Sequence, residues 1–132
     1  MNIGQVSKAS GLPAKTIRYY EDIGLILPYR QENGYRVFDS GHLNKLRFLQ
    51  RARSLGFSVE DCRTLLALYE DKSRTSEDVK NIAENRLADI DRKMKELQSM
   101  RAVLLHLVGN CRGGDRPDCP ILDDLANDGP LH

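Results

Sequence analysis

Between Thr75 and Val108 the apolar residues Ala83, Leu87, Ile90, Met94, Leu97, Leu104 and Val108 recur at alternating steps of four and three, with Arg101 the one interruption. No Gly or Pro breaks the run, and Thr75 and Asp78 have capping-box spacing at its start. The pattern predicts one helix over 75–108, about 50 Å long at 1.5 Å per residue. So thin a stripe is a coiled-coil seam: one subunit cannot bury it, and pairing with a second copy can. The alternative is a helix packed on its own domain. In an antiparallel pair, Ser76 of one subunit approaches Cys111 of the partner subunit.

The front of the chain has shorter periods. Asn2 and Gln5 form a capping pair, Ile3, Val6 and Ala9 a stripe, and Gly11 a left-handed stop. Pro13 suits the first position of a second helix, PAKTIRYYEDIG, closed by Gly24. Two helices this close read as a helix-turn-helix. On the second, Ile17 and Tyr20 point toward the first helix, while Lys15, Thr16, Arg18 and Tyr19 lie largely elsewhere and suit a phosphate-lined groove. In YRQENGYRVF, Asn33 and Gly34 predict a two-residue hairpin turn with positive φ at both. Taken alone it is a surface hairpin or a wing; behind a helix-turn-helix the wing is favoured, with Tyr35 and Arg36 beside its tip. Ser40 is the expected cap of a third helix ended by Gly56, with Leu43, Leu46, Phe48, Leu49 and Ala52 inward. Ser58 opens a fourth, whose buried side is Val59, Cys62, Leu65, Leu66 and Tyr69. Arg51 and Arg53 read as surface charges, with a second phosphate clamp as the alternative.

Composition narrows the class. The chain has 132 residues, 40% hydrophobic, enough for one modest core and an appendage. The expectation is a mainly α architecture: residues 1–71 a winged helix-turn-helix domain with two following helices, 75–108 a dimerisation helix, and 109–132 a loop, short helix and tail. A net charge of +1 hides an asymmetry: to Phe57, nine Lys and Arg face four Asp and Glu, a net +5, and beyond it eleven face fifteen, a net −4. A basic front on an acidic back fits a nucleic-acid surface carried by a dimer body. No apolar run approaches membrane-spanning length and MNIGQVSK does not read as a secretory signal, so a cytoplasmic protein is expected. Three cysteines do not make a disulfide framework. His42 and His106 are isolated, and neither is assigned a metal.

KTIRYYEDIGLI, then ENGYRVF, a helix pair and a long heptad helix together resemble the MerR family of transcription regulators along the whole chain. The resemblance implies a homodimer whose two winged domains bind a palindromic promoter operator, joined by an antiparallel helix pair. It places Lys15, Arg18, Tyr19 and Tyr20 at recognition-helix positions and Tyr35 and Arg36 at wing positions. It further implies activation by bending and untwisting promoter DNA so that RNA polymerase engages both promoter elements. Pro13 departs from the Ser or Thr that many members carry as a cap.

Beyond the long helix, GNCRGGDRPDCPILDDLAND sets Cys111 and Cys119 with seven residues between them, Gly113, Gly114 and Pro117 included, and reads as a flexible loop. A structural zinc site would need four ligands. Taken alone the pair reads either as two structural thiols or, because two thiolates suit one soft monovalent ion held linearly, as a metal site. Pro120 with Ile121, Leu122 and Leu125 predicts a short final helix whose positive end faces Cys119 and favours its thiolate. Loop closure followed by docking of Ile121, Leu122 and Leu125 is the expected switch. Cys62 reads as a packing residue. A thiol enzyme would want a CxxC or a nearby base, and neither is present. The Cys111 and Cys119 pattern resembles the copper-efflux branch of the family. That resemblance implies Cu(I) as ligand, with response to Ag(I) and Au(I), and it matches Ser76 to the position where sensors of divalent ions carry a third cysteine. The competing reading is a redox regulator that forms a Cys111–Cys119 disulfide.

Overall fold

Asn2 starts the first helix by accepting the Gln5 backbone N–H at 2.9 Å while Gln5 Oε1 accepts the Asn2 N–H at 2.8 Å. In the computed structural model, which describes residues 1–111, 114 and 119–127, this helix α1 spans Ile3–Ser10 and stops at Gly11, φ 78°. The turn that follows is closed by side chains: Ser7 Oγ donates to Leu12 O at 2.6 Å and Ser10 Oγ accepts the Leu12 N–H at 3.2 Å. Helix α2 spans Ala14–Asp22. Pro13 is its cap, not its first helical residue as the sequence suggests. Its ring fixes φ at −59°, compatible with a helix, but ψ is 146°, which leaves it extended.

The hairpin also differs from its expected form. Strand β1 (Tyr29–Arg30) pairs antiparallel with β2 (Arg36–Val37), Tyr29 opposite Val37 and Arg30 opposite Arg36. Gln31 N–H donates to Tyr35 O at 2.9 Å and Gly34 N–H to Gln31 O at 2.8 Å. The loop is therefore the three residues Glu32, Asn33 and Gly34. Gly34 alone in it has positive φ, 85°, the arrangement of a turn followed by one left-handed residue. Asn33 escapes that conformation by accepting the Tyr35 N–H on Oδ1 at 3.2 Å.

Helix α3 (Ser40–Ser54) is capped by Asp39, one residue before the expected Ser40. Asp39 Oδ1 accepts the His42 N–H at 2.9 Å, and His42 Nδ1 accepts the Asp39 N–H at 3.0 Å. The other ring nitrogen of His42 lies 2.9 Å from Leu27 O, so both are engaged. Helix α4 (Val59–Glu70) starts at Ser58, whose Oγ accepts the Asp61 N–H at 3.0 Å. Val6, Ile17, Phe38, Leu46, Leu49 and Cys62 form the centre of the core, each at most 2% exposed. Burial of each large apolar side chain contributes about 1.5–3 kcal/mol. Leu43, Phe48, Val59 and Leu65 are half-buried around it. Tyr69, expected inside, is 63% exposed; it falls in the last turn of α4, where its ring packs on Phe48 at 5.2 Å.

Helix α5 spans Ser76–Asn110, 35 residues. Thr75 Oγ1 accepts the Asp78 N–H at 3.4 Å at its start. The chain divides into two units, Met1–Arg86 and Leu87–His132. In the second, Leu107 is buried while Leu87, Met94, Leu97, Leu104 and Val108 are 53–63% exposed. Helix α6 spans Pro120–Ala126 with Pro120 at its start. No helix among the described residues is long and apolar enough to cross a membrane.

Candidate DNA interface and thiol pair

Helix α2 buries Ile17 and Tyr20 and exposes Lys15, Arg18 and Tyr19, with Thr16 half-buried. Tyr20 therefore leaves the DNA-facing set: its ring is 3% exposed, because the residue three positions past Ile17 shares the stripe that packs on the core. Burial pushes its hydroxyl pKa up, against the nearby Arg53 guanidinium that lowers it.

Arg18 from α2, Tyr35 and Arg36 from the wing, and Gln31 and Asn2 line one cleft. The structure thus brings together three of the predicted side chains; Lys15, Thr16 and Tyr19 lie on α2 outside that cleft. Tyr35 stands 71% exposed at the wing tip. Arg36 is half-buried, with Nε 3.0 Å from Glu21 Oε2, and Arg30 Nη2 lies 2.6 Å from Glu21 Oε1. Arg30 Nη1 also donates to Gly34 O at 2.7 Å. One carboxylate on the last turn of α2 thereby ties both strands of the wing to the helix. Sequence reasoning passed over Glu21; an acid on a basic face was the available signal. It also passed over Arg63, whose Nη2 donates to Ile23 O at 2.7 Å and holds the end of α2 from α4.

The thiols sit at two helix ends. Cys111 directly follows α5, and its N–H donates to Val108 O at 3.2 Å. Cys119 is the cap residue of α6, and its side chain makes no capping hydrogen bond. Both are free and half-buried. Of the residues between them only Gly114, φ 83°, is described; the expected flexible loop otherwise lies outside the described residues. No group of three His, Cys, Asp or Glu suited to a metal occurs among the described residues. Among the described residues the candidate donors here are these two sulfurs, whose softness fits a thiophilic metal ion. Ile121 is half-buried while Leu122 and Leu125 are 64% and 72% exposed. Cys62 is free as well, 1% exposed, and burial raises its pKa.

Two family models match the chain: a MerR helix-turn-helix family regulatory protein over residues 1–68 and a MerR DNA-binding model over residues 43–107. The chain is 63% identical to the HTH-type transcriptional regulator HmrR of Rhizobium leguminosarum bv. viciae, over 96% of this chain and 98% of that protein. It is 52% identical to heavy metal-dependent transcription regulator 2 of Rhizobium meliloti, over 96% and 87%. Among solved structures, the lead(II) complex of the transcription regulator PbrR691 from Ralstonia metallidurans CH34 superposes with a TM-score of 0.82 at 31% identity, covering 95% of this chain and 98% of that one.

Proposed function

From the chain's membership of the MerR family of helix-turn-helix transcription regulators, we propose that it is a cytoplasmic Cu(I)-responsive activator, answering also to Ag(I) and Au(I), that works as a homodimer on promoter DNA. Members of this family are DNA-binding regulators, not enzymes. The regulated genes in this reading are those of copper efflux. The observation that carries it is the pair Cys111 and Cys119, two free thiols at the end of α5 and the start of α6 with no third donor grouped with them among the described residues. The family's heavy metal-dependent relative supports a metal as the effector class, and the donor count selects a soft monovalent ion.

Lys15, Thr16, Arg18 and Tyr19 from α2 and Tyr35 and Arg36 from the wing contact DNA, with Glu21 setting the angle between the two elements. Two copies pair through Leu87, Met94, Leu97, Leu104 and Val108, the stripe one chain leaves exposed. Cys111 and Cys119 would hold the ion, which when bound supplies a link between two sulfurs and so favours a closed loop. Ile121, Leu122 and Leu125 then dock, and the dimer adopts the geometry that bends and untwists the promoter for RNA polymerase. Bending a site of 20–30 base pairs costs about 1–6 kcal/mol. Moving a dimer from 1:99 to 99:1 takes about 5.5 kcal/mol of differential binding, the same order.

The test is Cu(I) titration under strong reductant against a competing chelator, with transcription from the promoter read in parallel. One tightly held ion per subunit and a matching rise in transcription are expected, both lost in Cys111→Ser and Cys119→Ser while operator binding survives. A response to oxidant alone, without Cu(I) binding, overturns this reading and makes the pair a disulfide switch.

A further inference from the structure

Helix α5 is tied to the DNA-binding module at a narrow place. From Ser76 to Ala88 every residue is exposed except Ile82 and Arg86, one helical turn apart. Among the described residues, Arg86 is the one α5 side chain that hydrogen-bonds outside its own helix: Nε donates to Leu55 O at 3.0 Å. Its guanidinium also fills the space beside Gly56, which has φ 85° and carries no side chain to compete for it. Leu55 and Gly56 belong to the turn between α3 and α4. On the far side of that turn Arg53 Nη1 donates to Phe57 O at 2.6 Å, and the Arg53 guanidinium lies beside the hydroxyl of Tyr20, the core residue of α2. Two guanidinium groups thus grip one three-residue turn, one from the long helix and one reaching the recognition helix.

We infer that Arg86 is a positioning residue, the contact through which α5 acts on α2 by way of the Leu55–Phe57 turn and Arg53. A rotation of α5 about its axis swings the guanidinium against Leu55 O, and a turn held at both ends by planar, multidentate donors passes the shift on. A shared apolar face would tolerate sliding; a guanidinium seated on a carbonyl and against a bare glycine does not. This inference rests on the effector reading above, and its test is arranged so that the two fail separately.

Arg86→Met keeps an apolar stem and removes the donor; Arg86→Lys restores one donor. Each is compared with wild type for Cu(I) stoichiometry, operator affinity, thermal unfolding and the ratio of transcription with and without Cu(I). Arg86→Met is expected to bind metal as wild type does and to keep operator affinity within about twofold, as a surface change should. Its induction ratio should fall about tenfold, within the usual range of allosteric coupling, and Arg86→Lys should recover at least half of the loss. Wild-type induction in Arg86→Met overturns the inference. So does Arg86→Lys behaving no better than Arg86→Met, or loss of operator binding or folding along with induction, since Arg86 would then be a stability residue. If wild type itself ignores Cu(I), the metal reading falls alone, and the relay is read from amide hydrogen exchange: faster exchange at Gly56, Phe57 and Tyr20 in Arg86→Met supports it, and unchanged exchange overturns it.

Discussion

Glu21 holds Arg36 by Nε contacts of 3.3 and 3.0 Å to its two carboxylate oxygens, joining the last turn of α2 to the second strand of the wing. The Glu21 side chain is 14% and the Arg36 side chain 24% exposed, so the pair is shielded more than a surface ion pair, and Arg30 completes it from the first strand. Its use is orientation: a hairpin with two residues per strand has little packing of its own to fix where it points.

Glu21→Ala is expected to lower stability by about 1–3 kcal/mol while weakening the preference for operator over random DNA several-fold. Removing the carboxylate frees two arginines, so affinity for random DNA should hold or rise as operator affinity falls. Fluorescence anisotropy with both DNAs at one salt concentration measures this. An unchanged ratio would mean that the wing is aimed by something other than Glu21.

Leu97, 63% exposed on α5, lies in the middle of the uncovered stripe. In a twofold pair Leu97→Glu places two carboxylates in the seam, a cost of about 3 kcal/mol and so about 100-fold in the dimer dissociation constant. Sedimentation should show the dimer dissociating, with operator binding lost in step. A variant that stays dimeric would put the interface elsewhere.

What the sequence made legible was whatever is decided within a few residues. The Asn2 and Gln5 box, the Gly11 stop, the Ser58 cap and the unbroken helix α5 all depend on spacing alone, and all are found. Close competitors were misjudged: Asp39 and Ser40 are both good caps, and Asp39 wins because His42 answers it. The turn at Asn33 and Gly34 needed a residue count that depends on strand register. Tyr20 was claimed by two patterns at once, the stripe with Ile17 and the family's recognition positions, and burial decided for the stripe. Glu21, Arg63 and Arg86 were invisible because their partners lie 9 to 40 residues away. Nothing in local spacing marks such a pair.

Alkaline pH should expose the two titratable groups of the core. Burial raises the pKa of Cys62 and of Tyr20, each partly opposed by Arg53. The sign follows from linkage: a group whose folded pKa lies above its unfolded value gives stability that is complete below the unfolded pKa and is lost as pH rises toward the folded one. Chemical denaturation midpoints should therefore hold near pH 7 and decline from about 8.5, the ordinary thiol value, with a second decline above about 10 from the phenol. Cys62→Ala should cost about 1 kcal/mol at neutral pH and abolish the first decline. In thiol labelling of the native protein Cys62 should react last, only on unfolding. A Cys62→Ala variant with the wild-type pH profile would remove the thiol from this account.

Ser76 is exposed and its hydroxyl is free to change, because Thr75 and not Ser76 supplies the oxygen that accepts the Asp78 N–H. Ser76→Cys is nearly isosteric and should leave the unfolding temperature within a few degrees, as for surface substitutions generally. If two copies pair antiparallel through α5, as proposed, this position approaches Cys111 of the partner subunit, and the substitution adds a third sulfur to each Cys111 and Cys119 pair. Three thiolates carry one more negative charge and one more donor, a set that suits a soft divalent ion better than a monovalent one. A promoter reporter should then respond to Zn(II), Hg(II) or Pb(II), with the Cu(I) response reduced. Adding Cys119→Ser should take the new response away again, because two sulfurs from different subunits do not close the loop onto α6. If Ser76→Cys leaves metal preference as it was, Ser76 does not approach the thiol pair, and an antiparallel arrangement of α5 loses its main consequence.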